Sequence, residues 1–579
     1  MAPSVISPKH QHLSPNPPSS SSSSTTTAIN LPHSSSSAAE LGCVNCRCSS
    51  NKDANESAHL DDPSQDLADS ISNLVLNPQF NSLNLDLHLL HDNITIDRIP
   101  KLPARNVSFA PLTPEAKAAD SFHSSPLISE KMPPSFVQPH PPFHVFPSPV
   151  INIRELTKPN AYKRVFHFEI DVSHYPLPEG EEWMVGGSFG LMAPNDDAVV
   201  NHLLHLLQIP DDVADAPILL KTNGGRWPTI WAEDVPRELP TTRRELLKWS
   251  SDFMSAPPKK QLIRLLAEYA QNPTEKKILL FLVSRLGQRA FCDLRVNNNV
   301  TLLTLLEAFP SIRLPLDHLL SVLPQLMPRW YSLSNDPAQH NGVLEFAVAL
   351  VEIEKVGGGV HYGIGSGFLY QLAKQWMDGK RDLVLPMFRG LHRNAFVTHF
   401  TSDGPMCLIG TGVGIAPFRG FVQRRLMNAS CAGKVWIFHG CRDSELDELY
   451  HGEWENPSDN SRSNSPRPQD KQNNTEVDTL EFHNDAREGP HHMVVESRSR
   501  RKVYVQDELR MKGDIVWNVL NHPNGKIYLC GGKQGLLRGV DEALKDICMK
   551  YGNLSQNEAA NQLAAWQNPL SLKYIKEIW

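Results

Sequence analysis

With 579 residues, 46 prolines and a formal net charge of −7, the chain is long enough for about three or four domains, and it carries no global field for nucleic acid or an anionic membrane. No apolar run of about 18 residues occurs, and Met1-Ala2-Pro3-Ser4 lacks the basic and apolar regions of a secretory leader. A cytoplasmic protein with no membrane span and no nucleic-acid partner is expected, and its nine cysteines fit reduced thiols rather than a disulfide framework.

Prolines and serines crowd the front of the chain. Residues 1–140 read as a disordered, low-complexity tail and hinge, because so few apolar side chains cannot offset the entropy of ordering. Within it Cys43, Cys46 and Cys48 are clustered; half a zinc site, a lipidation site and coincidence are all open readings, and no metal site is assigned. Leu67 to Leu90 carries an amphipathic pattern that fits a partner-binding helix or a strand. Ordered structure is expected from near Phe143.

Two alternating apolar runs, Val150 to Leu156 and Val165 to Val172, flank Lys158-Pro159-Asn160-Ala161 and predict a hairpin. A turn at Gly186-Gly187 leads into a third strand. From residue 201 to 326 the apolar period becomes helical. Gly342 to Val351 predicts an apolar strand, and Leu383 to Met387 closes this part of the chain. Residues 403–579 then alternate strand and helix, which predicts a parallel sheet, interrupted by a polar insertion at 453–490.

Four stretches carry chemistry. Arg329-Trp330-Tyr331-Ser332 sets a cation, aromatic planes and a hydroxyl side by side, and further on Gly363-Ile364-Gly365-Ser366 opens a helix. That combination suits a flavin, with the ring on an aromatic face and the pyrophosphate on arginine and free backbone N–H groups. Gly410-Thr411-Gly412-Val413-Gly414 follows a strand and precedes a helix, as a dinucleotide diphosphate requires. Ser497-Arg498 and Arg500-Arg501-Lys502 form a dense basic patch suited to a 2′-phosphate, so NADPH is expected over NADH.

In this order, with Tyr504, Gln506, Tyr528-Leu529-Cys530-Gly531-Gly532 and a terminal Trp579, these motifs resemble the FAD- and NADPH-binding half of the diflavin reductases. That half is a ferredoxin–NADP reductase-like module, and the methionine synthase reductase branch is the nearest in pattern. The resemblance implies an α+β and α/β fold. An antiparallel FAD-binding β-barrel, 141–200 and 327–402, would hold a helical connecting insertion, 201–326, and be followed by a Rossmann-like NADPH-binding domain, 403–579.

The resemblance also implies roles. FAD would be held by Arg329, Trp330, Tyr331, Ser332, Gly363, Ile364, Gly365, Ser366 and Trp579, with Tyr331 and Trp579 on opposite faces of the ring. NADPH would be held by Gly412, Val413, Gly414, Cys441, Arg442, Ser497, Arg498, Lys502, Tyr504 and Gln506. Ser332, Cys530, Glu577 and Trp579 would serve hydride transfer. Departures from the pattern are Gly187 for an acid, Val413 for a threonine, Gly532 for an aspartate and Glu577 for the commoner aspartate. Ile99-Pro100-Lys101-Leu102-Pro103 resembles the hinge that joins the FMN domain, yet no flavodoxin-like pattern precedes it. Three readings follow: a reductase that serves a separate flavodoxin-like FMN protein and ultimately cobalamin in methionine synthase; a dehydrogenase that lacks its FMN domain and reduces artificial acceptors; or a non-enzymatic FAD-binding scaffold or chaperone.

Overall fold

The computed structural model describes residues 67–112, 131–137, 145–223, 237–254, 258–296, 299–340, 342–355, 358–389, 395–401, 403–427, 434–454, 490–499, 502–532, 534–569 and 572–578. Cys43, Cys46, Cys48, most of the 453–490 insertion, Arg500, Arg501 and Trp579 lie outside them.

Order begins well before Phe143, which corrects the expectation of a solvated tail to residue 140. Helices Leu67–Val75 and Pro78–Ser82 are followed by strand β1, Val107–Pro111. The reason is long-range burial that local composition hides. Leu67, Phe80, Leu83, Ile99 and Val107 are scattered in sequence but all join the core of the helical region. Asn77 caps the second helix through Gln79 N at 2.9 Å, and its Nδ2 donates to Glu307 O at 3.0 Å. Phe80 meets Phe309 edge to face. The partner of the amphipathic stretch is therefore this chain's own helix Leu302–Ala308. The proline-rich segment is docked as well, with Ile99 buried and the Pro103 carbonyl 2.7 Å from His318 Nε2.

Strands β2 (Phe146–Glu155), β3 (Val165–Asp171) and β4 (Ser188–Leu191) open the barrel. Strand β2 alternates in burial, one face in and one out, whereas β3 is buried on nearly every residue because a second domain covers its outer face. The region expected to be purely helical holds two strands, β5 (Ile218–Thr222) and β6 (Glu238–Thr241), which complete a three-stranded antiparallel sheet in the order β1-β5-β6. Ile218-Leu219-Leu220 is too short a run to declare a period, and its pairing partner lies over a hundred residues upstream in β1.

The chain then returns to the barrel with β7 (Arg329–Ser332) and β8 (Val343–Ala349), adds a small hairpin of β9 (Glu352–Glu354) and β10 (Val360–Tyr362), and crosses the helix Ile364–Met377 to β11 (Val384–Phe388). The six-stranded order is β7-β4-β11-β2-β3-β8, all antiparallel. A bridge between Leu333 and Phe346 joins the two ends and closes the ring. Inside, Phe168 stacks on Phe346 and Phe189 meets the same ring edge-on, a packed aromatic filling.

The last domain is a parallel sheet of β12 (Met406–Thr411), β13 (Val435–Cys441), β14 (His491–Glu496), β15 (Lys526–Gly531) and β16 (Tyr574–Ile578), in the order β14-β13-β12-β15-β16. Strands β12, β13 and β15 are apolar along almost their whole length, as strands covered on both faces must be. The chain leaves β12 toward β13 and later comes back on its other side to β15. The crevice beyond the carboxyl ends of β12 and β15 is where a doubly wound sheet binds its ligand. Among the described residues no helix is long and apolar enough to cross a membrane.

Candidate active site

A cleft of about 1240 Å³ runs from the β7 edge of the barrel to the carboxyl ends of β12, β13 and β14. A typical small-molecule pocket spans about 300–1,000 Å³, so the space exceeds what one ordinary ligand needs.

On the barrel side, β7 pairs with β4 and presents Arg329, Trp330, Tyr331 and Ser332 to the cleft. Trp330 is 40% exposed and leans edge-on against Phe388, so it offers an indole face to a planar guest. Tyr331 packs toward Phe189 and Phe346, and its surroundings push its phenol well above the ordinary value. The helix Ile364–Met377 begins where these side chains end. A Cβ on Gly365 would stand 2.8 Å from both Arg329 Cγ and Tyr331 Oη, so only glycine lets the helix start lie against β7. Ser366 Oγ accepts from Val351 N at 3.1 Å and donates to Gly363 O at 3.3 Å. Its hydroxyl therefore anchors the helix start to the barrel, while the first turn's backbone N–H groups and the helix dipole face the cleft.

On the sheet side, Gly412 has φ +54° and nothing within 4 Å of an added Cβ, a left-handed turn residue with open space toward the cleft. Val413 lines the cleft beside it. Gly414 does not: a Cβ there would collide with the Cys530 carbonyl, so this glycine serves close packing of the turn on β15. Thr411, whose role sequence reasoning missed, stands at the mouth between Gly440 and Gly531, 2.8 Å and 2.5 Å from their added Cβ positions. It supplies a hydroxyl two residues before Val413, which has none. The clue lay in the Gly-Thr-Gly order itself.

Arg442 and Arg498 end adjacent strands, with Arg498 N donating to Arg442 O at 3.0 Å, and both line the cleft. Ser497 Oγ donates to Cys441 O at 3.1 Å, tying the same two strand ends together. The Arg442 guanidinium lies 3.3 Å above the ring of Tyr162, in the loop between β2 and β3. Tyr504 and Gln506, at the start of the helix Val505–Met511, complete this end. Cys441 is buried beside Asp447, Glu496, Glu448 and Asp443, and burial first, then those carboxylates, push its thiol up to about 12.

Other residues assigned from the sequence are placed elsewhere. Lys502 is exposed and does not line the cleft. Cys530 is fully buried on β15 beneath the glycine turn, and Glu577 pairs with it in register on β16, its carboxylate accepting from Ala395 N at 3.2 Å. Neither lines the cleft, and burial and Glu577 both push the Cys530 thiol well above its ordinary value.

The residues present fit an extended dinucleotide on each side: a helix start and an arginine against an indole on the barrel, and a left-handed glycine turn with two arginines on the sheet. A closed antiparallel barrel joined to a doubly wound sheet, with one cleft between them, defines a flavin- and nicotinamide-nucleotide-binding oxidoreductase. The FAD binding domain family matches residues 138–368, and the oxidoreductase NAD-binding domain family matches residues 408–542. An uncharacterized FAD-binding protein of Schizosaccharomyces pombe is 66% identical over 545 residues, 93% of this chain and 94% of that one. Mouse methionine synthase reductase is 28% identical over 506 residues, 84% of this chain and 68% of that protein. Rat NADPH–cytochrome P450 reductase is 26% identical over 453 residues, 77% of this chain and 60% of that protein. The chain belongs to the diflavin-reductase-like family of FAD- and NAD(P)-binding oxidoreductases.

Proposed function

We propose that the protein is an NADPH dehydrogenase that passes electrons from its FAD to a separate FMN-containing, flavodoxin-like protein. The observation that supports this most is the single cleft shared by the β7 residues Arg329–Ser332, the Gly363–Ser366 helix start, the Thr411–Val413 turn and the Arg442–Arg498 pair. FAD, when bound, supplies the conversion between two-electron uptake from a nicotinamide and one-electron delivery to an acceptor.

The chain's own residues then have definite tasks. Arg329 and the first N–H groups of the helix Ile364–Met377 neutralise a pyrophosphate, and Gly365 lets them converge on it. Trp330 gives an aromatic plane at the solvent side, and Ser332 places a hydroxyl in the cleft at the end of the same strand. Arg442 and Arg498 bind the 2′-phosphate that distinguishes NADPH, with the Tyr162 ring against the Arg442 guanidinium. Thr411 offers a hydroxyl to the diphosphate or ribose. Buried below the glycine turn and beside Glu577, the Cys530 thiol keeps its proton and supports the turn from beneath.

The acceptor class rests on the likeness to methionine synthase reductase and NADPH–cytochrome P450 reductase, and delivery to cobalamin in methionine synthase is one route that this acceptor would serve. The test is anaerobic mixing of purified protein with NADPH while bound-flavin absorbance is followed. Stoichiometric bleaching is expected. A yellow protein that NADPH cannot bleach, or a colourless one that FAD cannot reconstitute, would replace the dehydrogenase by a binding scaffold.

A further inference from the structure

Behind the lining of the cleft, two histidines and a glutamate converge. The register pairs Ile437 with His492 and His439 with Val494, so the rings of His439 and His492 project from the same sheet face as diagonal neighbours on β13 and β14. His439 Nδ1 lies 3.2 Å from His492 Nε2. Glu448, just beyond the turn Ser444–Asp447, completes a set in which one ligand atom from each residue lies within 4.8 Å of the others. His439 and Glu448 are buried and His492 is half-buried. The indole of Trp454 covers both imidazoles at 5.9 and 5.2 Å between ring centres.

His439 is wholly buried, and its Nδ1 and His492 Nε2 face each other closely enough to share one hydrogen or to hold one ion between them. Ligand–metal distances of about 2.0–2.1 Å in tetrahedral geometry place two nitrogens about 3.3 Å apart, and the observed separation matches. Exposed His451, with Nδ1 3.2 Å from Glu448 Oε2, lies at the solvent side of the cluster.

We propose that His439, His492 and Glu448 form a binding site for one divalent transition metal, Zn²⁺ by its nitrogen and carboxylate donor set, with water or His451 as the fourth ligand. The ion would tie β13, β14 and the Glu448–Trp454 turn together. Tyr450 in that turn meets His167 of the barrel, its hydroxyl 3.1 Å from Nδ1, so the metal would also brace the junction between domains. The two histidines stand on two strands 53 residues apart, which is why no metal spacing shows in the sequence.

The test uses the full chain, stripped with a chelator and reloaded with Zn²⁺ or Co²⁺. One Zn²⁺ retained per chain is expected, with intense visible bands of tetrahedral Co²⁺ that lack thiolate charge transfer. Glu448→Gln, nearly isosteric, and His492→Asn should each weaken retention at least about tenfold and remove the Co²⁺ bands while circular dichroism and flavin content stay unchanged. Should His492→Asn fail to fold, Glu448→Gln alone decides. No retention by the parent protein, equal retention by the variants, or thiolate bands that place the metal on cysteines would each overturn the assignment.

Discussion

Arg424 grips Asp336 with two parallel bonds, Nε at 2.5 Å and Nη2 at 2.6 Å, across the junction between the barrel and the nucleotide domain. Asp336 is fully buried, lies four residues past the β7 site residue Ser332, and its backbone N–H donates to Gln423 at 2.8 Å. A third of the Arg424 side chain still meets solvent. Severing a buried pair costs about 3–5 kcal/mol, and screening at Arg424 brings this to about 2–3 kcal/mol. Asp336→Asn and Arg424→Gln should each lose that much in urea unfolding. A loss under about 0.5 kcal/mol, the range of an ordinary surface substitution, would show that the junction does not depend on the pair.

Gly365→Ala should release flavin while leaving the fold in place. The new methyl must displace the Arg329 stem or the Tyr331 hydroxyl, both 2.8 Å away, at a position where alanine is otherwise a good helix residue. We expect FAD affinity to fall about 10- to 100-fold, near 1.4–2.7 kcal/mol. The flavin-to-protein ratio after gel filtration at fixed added FAD reads this directly, and an unchanged ratio would separate β7 from flavin binding.

The two cationic positions at the cleft should differ from the one outside it. Arg442→Ala and Arg498→Ala should each weaken NADPH by roughly 1.5–3 kcal/mol, the range for a charged hydrogen bond, with NADH nearly unaffected. Lys502→Ala should change either cofactor by less than about 1 kcal/mol, as an exposed charge does. Competitive binding of 2′-phosphate-containing and 2′-phosphate-lacking nucleotides measures the split. A larger effect at Lys502 than at Arg498 would move the phosphate outside the cleft.

Cys530 should resist alkylation in the native protein. It is fully buried, and both desolvation and the Glu577 charge disfavour the thiolate that reacts. Mass spectrometry after iodoacetamide at pH 8 should find Cys530 unmodified until denaturant is added. Labelling in the native state would show that the β15 end opens toward the cleft.

Much of this architecture could be read in advance because local pattern and tertiary role agree. The apolar runs of β12, β13 and β15 announce a covered parallel sheet, and the Arg329–Ser332 and Gly363–Ser366 stretches bring their chemistry on adjacent residues. What stayed hidden depends on distance. Leu67, Phe80 and Val107 sit in a proline- and serine-rich background and gain meaning only when helices two hundred residues later cover them. Strand β5 needs β1 to be a strand at all. Thr411 was not singled out within its glycine turn, and of the basic residues assigned to the phosphate, Arg442 and Arg498 line the cleft whereas Lys502 does not. Cys530 and Glu577 were assigned through resemblance, and the structure places both outside the lining of the cleft.

The contact between Tyr162 and Arg442 has a consequence for how such proteins can be recombined. The ring comes from the loop between two barrel strands, and the same loop hydrogen-bonds the nucleotide domain through Lys158 N and Leu446 O at 2.9 Å. With Arg442 in the phosphate-binding role proposed above, a gene fusion that grafted a foreign carboxyl-terminal half after residue 402 would leave behind the ring that positions it. Coenzyme preference in such a hybrid would follow neither parent until the loop was exchanged along with the half that it touches.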